Sequence, residues 1–241
     1  MERDELYVAQ NNQIADFEFG EKTAEVFDDM LERSIPLYKE LQRMIGEVAS
    51  EFASDGTNIY DLGCSTGITL QTLINAIDKD VKFVGVDYSQ AMLDKCTEKL
   101  AKNGSLGKCE LICNDLNNGV LIENASVIVL NLVLQFIRPL YREFLIRNIY
   151  KGLKENGCVI LVEKVLGNDS MFNRTFIKFY YNMKKRDGYS EMEIAQKREA
   201  LENVLIPYRL EENIGLLKNN NFSNIDIFYK WYNFCGIIAV K

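Results

Sequence analysis

The stretch Asn58-Ile59-Tyr60-Asp61-Leu62-Gly63-Cys64-Ser65-Thr66-Gly67 decides the fold. An apolar run ends in an acid, breaks into a loop bracketed by Gly63 and Gly67, then resumes with Ile68, Leu70, Leu73 and Ile74 at helical spacing. The pattern predicts a strand, a tight turn and a helix. Glycines in such a turn let the backbone approach a ligand, and the helix that follows offers it unpaired N–H groups.

Three ligand classes use a turn of this kind. Dinucleotide sites need G-x-G-x-x-G, which is absent, whereas Gly63 to Gly67 fits the G-x-S-x-G elbow of serine hydrolases. The chain of 241 residues contains no histidine, so Ser65 lacks the usual base of an elbow serine. There remains D-x-G-x-x-x-G, starting at Asp61, the nucleoside-binding turn of S-adenosylmethionine (SAM) enzymes. Its companion is an acid closing the next strand, and Lys82-Phe83-Val84-Gly85-Val86-Asp87 supplies one. Asp87 follows Gly67 at about the spacing expected of a ribose-binding acid.

Outward from this turn, strand-like runs at 109–113, 125–130 and 157–162 end at Asn114-Asp115, Asn131 and Glu163-Lys164, with helical sequence between them. Such alternation predicts a doubly wound, Rossmann-like α/β fold. Two further runs, 224–229 and 233–240, complete a mostly parallel seven-stranded sheet of the SAM-dependent methyltransferase type, with an antiparallel last strand. Ligands bind beyond the carboxyl ends of such strands. Asp61, Asp87, Asp115, Asn131 and Glu163 all fall on that edge.

We read residues 1–241 as a single SAM-binding domain with an N-terminal helical extension, 1–56, and a helical insertion, 168–205. The arm before Phe19 is irregular and carries no assignment. Tyr38, opening the second helix of the extension, reads as a packing residue. Within the insertion, Phe172, Phe176, Phe179 and Tyr180 form a stripe suited to core or dimer packing. Ser190-Glu191-Met192-Glu193 is a capping box that starts a helix over 192–204, and spacing alone puts Arg198 on its solvated face.

A net charge of −7 without a basic stripe argues against nucleic-acid binding and for a small-molecule substrate. No run has transmembrane length and the start of the chain is too charged for a signal peptide, so a cytoplasmic protein without membrane contact is expected. The six cysteines form no C-x-x-C pair and read as reduced core thiols. Without histidine, no metal site is expected.

Five segments are similar to one family. Ala24–Met30, Tyr60–Ser65, Ile122–Ser126, Leu134–Phe136, and Gly188–Glu191 through Gln196-Lys197-Arg198 closely resemble the carboxy-S-adenosyl-L-methionine synthases, with similarity from about Phe19 to the C-terminus. The resemblance implies a methyltransferase-like enzyme that transfers no methyl group. It would move a carboxyl group from prephenate to the sulfonium methyl of SAM, with phenylpyruvate as second product. The carboxylated cofactor would pass to a tRNA carboxymethyltransferase that modifies a wobble uridine, and the enzyme would be a homodimer.

By the same resemblance Gly63, Cys64 and Ser65 hold the methionine part of the cofactor. Asp87 takes the ribose with Tyr88 beside the nucleoside, where family members carry a small polar residue. Asp115 and Leu116 meet the adenine, and Asn131 and Tyr38 add further contacts. Arg198 becomes the catalytic residue that grips the new carboxylate, which overrides the solvated-face reading: a guanidinium holds a carboxylate through two parallel hydrogen bonds. Loss of hydroxide from prephenate could remove a methyl proton acidified by the sulfonium, so no side-chain base is needed. The rival readings are a conventional SAM-dependent methyltransferase of unknown acceptor, a non-catalytic SAM-binding protein and a histidine-free hydrolase.

Overall fold

The computed structural model describes residues 2–10 and 13–241. Seven strands, β1 (Thr57–Leu62), β2 (Val81–Asp87), β3 (Cys109–Cys113), β4 (Ala125–Asn131), β5 (Leu153–Lys164), β6 (Asn224–Trp231) and β7 (Phe234–Val240), form one sheet in the order β3-β2-β1-β4-β5-β7-β6. The first five pair in parallel, and β7 inserts antiparallel between β5 and β6. The order reverses at β1 and β4, the place where an open α/β sheet leaves a crevice for a ligand. The expected sheet is therefore present, including its antiparallel end.

Why β4 is a strand rather than a helix follows from its two-sided burial. Val127 and Val129 enter one core with Leu41, Ile45, Leu70 and Leu73, while Ile128 and Leu130 enter the other with Leu145, Ile146 and Ile149. The first core lies under α2 (Tyr38–Phe52), α3 (Ile68–Ala76) and α4 (Gln90–Lys102). The second lies under α5 (Pro139–Gly152) and α8 (Leu210–Asn219). Pro139 sits in the first turn of α5, where its missing N–H costs nothing, and Ser89 caps α4 by accepting from the Met92 amide.

The extension contributes α1 (Glu21–Ser34) and α2, and the insertion contributes α6 (Ser170–Arg186) and α7 (Glu191–Leu201). The capping box at Ser190 is formed as its sequence predicts. The helix stops at Leu201 instead of running to 204, and Val204 and Leu205 join the cavity wall described below. A third, smaller core of Phe17, Phe27, Met30, Met92 and Ala200 joins the N-terminal arm to α1, α4 and α7. All six cysteines are free thiols; Cys64, Cys96, Cys158 and Cys235 are buried, whereas Cys113 is exposed on the edge strand β3.

Arg142 on α5 is almost completely buried, yet it has a full set of partners. Its guanidinium donates to the carbonyls of Ile137 (2.9 Å), Gln135 (3.3 Å) and Ile206 (2.7 Å), and stacks on the Tyr208 ring at 4.1 Å. These bonds tie the loop after β4 to the segment after α7. Replacing Arg142 by Met takes the donor from the Ile137 and Ile206 carbonyls, while that of Gln135 keeps the Ile206 amide, and we expect a loss of roughly 3 kcal/mol in urea-unfolding free energy. A loss below about 0.5 kcal/mol would mean the carbonyls find water instead.

Candidate active site

The turn predicted from sequence lies between β1 and α3. Gly63 and Gly67 have φ of +78° and +82°, and Ser65 also sits in the left-handed region at +47°. A Cβ on Gly63 would lie 2.5 Å from Val133 Cγ2, and one on Gly67 2.5 Å from Cys96 Sγ. Neither position accepts a side chain, so the turn is a bare backbone cradle.

A cavity of about 310 Å³ opens above this cradle, within the range of small-molecule sites. Gly63, Cys64, Ser65, Asp87, Tyr88, Asp115, Leu116, Asn131 and Tyr38 all line it. Asp87 is buried; its Oδ2 accepts from the Ser65 amide and its Oδ1 from the Ser89 amide, both at 2.9 Å. Each carboxylate oxygen retains a lone pair for a ligand hydroxyl. Burial raises the Asp87 pKa, with the backbone donors pulling it back. Asp115 uses Oδ1 for the Asn117 amide (2.9 Å) and side chain (2.8 Å).

Asn131 ends β4 and donates to Thr69 Oγ1 at 3.0 Å, which also accepts from Gln42. Its own Oδ1, the Gln42 Oε1 and the Asp61 Oδ2 are buried acceptors without a hydrogen-bond partner among the described residues. Of the three only Asn131 lines the cavity, where its Oδ1 suits a ligand that brings a hydrogen-bond donor. Tyr38 is buried on the wall with its pKa pushed well up by desolvation, so it stays a neutral phenol.

Two of the five strand-end residues leave the wall. Asp61 is completely buried beneath the turn. Glu163 turns away from the cavity, its carboxylate accepting from the amides of Leu134 (2.8 Å) and Gln135 (2.9 Å), and so braces the loop after β4. Arg198 is exposed on α7 and is not part of the wall of its own chain; its neighbour Lys197 is buried and is part of it.

Several wall residues escaped the sequence reading. The irregular arm supplies the roof: Phe19 packs edge-on against Phe17 (5.0 Å), Phe136 (5.2 Å), Phe27 and Tyr88 (both 6.1 Å). The Ser89 hydroxyl donates to the Phe19 carbonyl at 2.5 Å, and the Phe17 amide donates to the Ala200 carbonyl at 2.9 Å. Alternating aromatics at Phe17 and Phe19 were the signal available. Gln135 was visible only through resemblance; its side chain accepts from the Lys164 amide (3.1 Å) and donates to the Leu132 carbonyl (3.3 Å), setting where β5 ends. Among the described residues no group of three or more His, Cys, Asp or Glu side chains could hold a metal ion. No helix among them is long and apolar enough to cross a membrane.

The Asp61 carboxyl is pushed up to about 7, first by burial and then by the charge of Asp87, with the Leu70 amide opposing. The folded-state value lies above the ordinary 3.8, so the ligand-free protein loses stability through this group as pH rises from about 4 to about 7. Asp61→Asn should flatten that part of a melting-temperature profile against pH. Glu163, pushed up to about 8 by burial, acts in the same direction and keeps a residual slope. An unchanged profile would show that Asp61 titrates normally.

A family model described as a methyltransferase domain matches residues 60–159. Among solved structures, an O-methyltransferase family protein from Burkholderia thailandensis superposes with a TM-score of 0.69 at 12% identity, over 91% of this chain and 60% of that one. An O-methyltransferase family 2 protein from Planctomyces limnophilus gives 0.60 at 20% identity, over 83% of this chain and 57% of that one. These likenesses concern the fold. Curated relatives are much closer: a carboxy-S-adenosyl-L-methionine synthase from Methylococcus capsulatus is 58% identical over the whole of both chains. A protein of the same name from Helicobacter hepaticus is 44% identical over 93% of this chain and 95% of that one. Identity of this order across the entire length, with the glycine cradle and its acids in place, means that the chain belongs to the carboxy-S-adenosyl-L-methionine synthase family.

Proposed function

We propose that this protein is a carboxyl transferase that converts SAM and prephenate to carboxy-SAM and phenylpyruvate. The observation that carries this reading is the full-length relation, at 58% identity, to a synthase of that name. The cofactor fits the site chemically. A donor-rich ammonium answers the orphaned acceptor of Asn131, ribose hydroxyls answer Asp87, and an exocyclic amine answers Asp115. Gly63, Cys64 and Ser65 would lie along the methionine part, Leu116 and Tyr88 beside the base and nucleoside, and Tyr38 on the wall of the same cavity.

When bound, SAM supplies a sulfonium that acidifies its methyl protons. The protein's own contribution is to position two ligands, exclude water beneath the Phe19 roof and stabilise developing negative charge. The chain has no histidine to serve as a base, so positioning and charge complementarity carry more of the work in this reading than proton transfer by a side chain. Arg198 is our assignment for the transferred carboxylate. Its guanidinium is exposed on α7, which links that role to the homodimer: assembly would bring it against a cavity. The exposed Met171, Phe172, Phe179 and Tyr232 offer an apolar face for such a partner copy. We place the enzyme in the cytoplasm, without direct tRNA contact, handing its product to a tRNA carboxymethyltransferase acting on the wobble uridine.

Incubation of the pure protein with SAM and prephenate should yield, by mass spectrometry, a SAM species heavier by one CO₂ together with phenylpyruvate. Unchanged SAM, or S-adenosylhomocysteine formed only with another acceptor, would favour a conventional methyltransferase. Arg198→Lys keeps the charge but loses the bidentate fork, and kcat/KM for carboxylation should fall on the order of 10²-fold. Full activity in that variant would remove Arg198 from the site.

A further inference from the structure

The cavity is electrically two-ended. Of the residues that line it, Asp87 ends β2 and Asp115 follows β3 on one side of the β1–β4 switch point, whereas Lys164 ends β5 on the other; Lys197, Tyr180 and Phe234 line it too. Lys164 is the last residue of β5, and its backbone is fixed by the bond to Gln135. Its ammonium lies 4.8 Å over the Tyr180 ring and has neither a hydrogen-bond nor an ion-pair partner among the described residues. The adjacent carboxylate does not help, because both oxygens of Glu163 are taken by the amides of Leu134 and Gln135.

The surroundings make this unpaired cation more conspicuous. Lys184 is buried 4.6 Å over the Tyr189 ring and 5.9 Å from that of Tyr180. Lys197 pairs with Asp4 at 3.3 Å, and Asp4 also accepts the Tyr189 hydroxyl at 2.6 Å. Arg33, 3.9 Å over the other side of this cluster on Tyr189, pairs with Asp29 at 3.1 Å. Four cations therefore face two carboxylates, and the two without ion pairs are Lys164 and Lys184. Unpaired buried charge is costly unless a partner arrives. Desolvation already pulls Lys164 down to about 8 and Lys184 to about 7, the latter also through the neighbouring lysines.

We propose that Lys164 is the seat for a carboxylate of the second substrate, at an end of the cavity where Lys164, Lys184, Lys197 and Arg33 outnumber the carboxylates of Asp4 and Asp29. This rests on the carboxyl-transfer reading, which requires an acidic donor to share the cavity with SAM, and adds the residue that selects it. An anion bound there restores charge balance at this end, while the cationic cofactor is held by the carboxylates at the other. The two ligands are thus sorted by sign before any chemistry occurs. A neutral acceptor of the kind a methyltransferase often uses would leave Lys164 unpaired.

The test separates seat from base and subsite from activity. Lys164→Met, an unbranched replacement, should leave the Kd for SAM within about two-fold of wild type and raise the KM for prephenate at least 30-fold, with kcat little altered. Lys164→Arg, which keeps a cation but cannot accept a proton near neutrality, should recover most of that loss. Calorimetric titration of the SAM-loaded protein with phenylpyruvate gives a readout independent of turnover: binding should weaken at least ten-fold in Lys164→Met. An unchanged KM and unchanged phenylpyruvate binding in Lys164→Met would overturn the proposal. So would equal loss of kcat in both variants at constant KM, which would make Lys164 a proton acceptor. If the wild type makes no carboxylated product, the functional reading fails, and the phenylpyruvate titration alone decides the subsite.

Discussion

One carboxylate organises this site. Asp87 grips the Ser65 amide with one oxygen and the Ser89 amide with the other, so the turn after β1 and the start of α4 are held at a fixed separation. Ser89 in turn holds the Phe19 carbonyl, which suspends the aromatic roof from the same point. Floor, wall and roof therefore share an anchor at the end of β2. Charge-assisted bonds to backbone amides are the strong kind, and their geometry leaves the second lone pair of each oxygen free for a ligand. The residue that would recognise a ribose is also the one that shapes the cradle around it.

A second knot sits across the sheet. Glu163 accepts two amides from the loop after β4, Gln135 in that loop accepts the Lys164 amide, and Arg142 collects carbonyls from the loop and from Ile206. None of these groups needs to touch a ligand. Their effect is to pin the strand end that carries Lys164, so its ammonium is presented by a rigid element instead of a mobile loop. The two knots explain how one cavity can carry opposite charges at its two ends without the lysines collapsing onto the aspartates.

Most of the sheet could be read from periodicity, because β1, β4 and β5 are buried on both faces and alternation with helices leaves few arrangements. The cradle was equally plain, since left-handed backbone at Gly63 and Gly67 writes itself as glycine. What could not be read was which strand-end polar groups turn inward. Glu163 and Asp87 occupy equivalent positions in the pattern, yet one braces a loop and the other faces the cavity, a choice made by loops distant in sequence. The roof was missed for a similar reason: its aromatics gain their meaning from Phe136 and Ala200, far along the chain. On α7, spacing put Arg198 outward and the structure has it there, outside the wall of its own chain.

The arm has a consequence for the order of folding. Asp4 reaches Tyr189, 185 residues away, and Phe17 reaches Ala200. These are among the longest loops the chain closes, and closure entropy grows with loop length. The arm is synthesised well before α6 and α7, so it acquires these partners only after those helices have formed and docks late onto a sheet whose strands pair over shorter spans. The protein builds the pocket before it builds the cover.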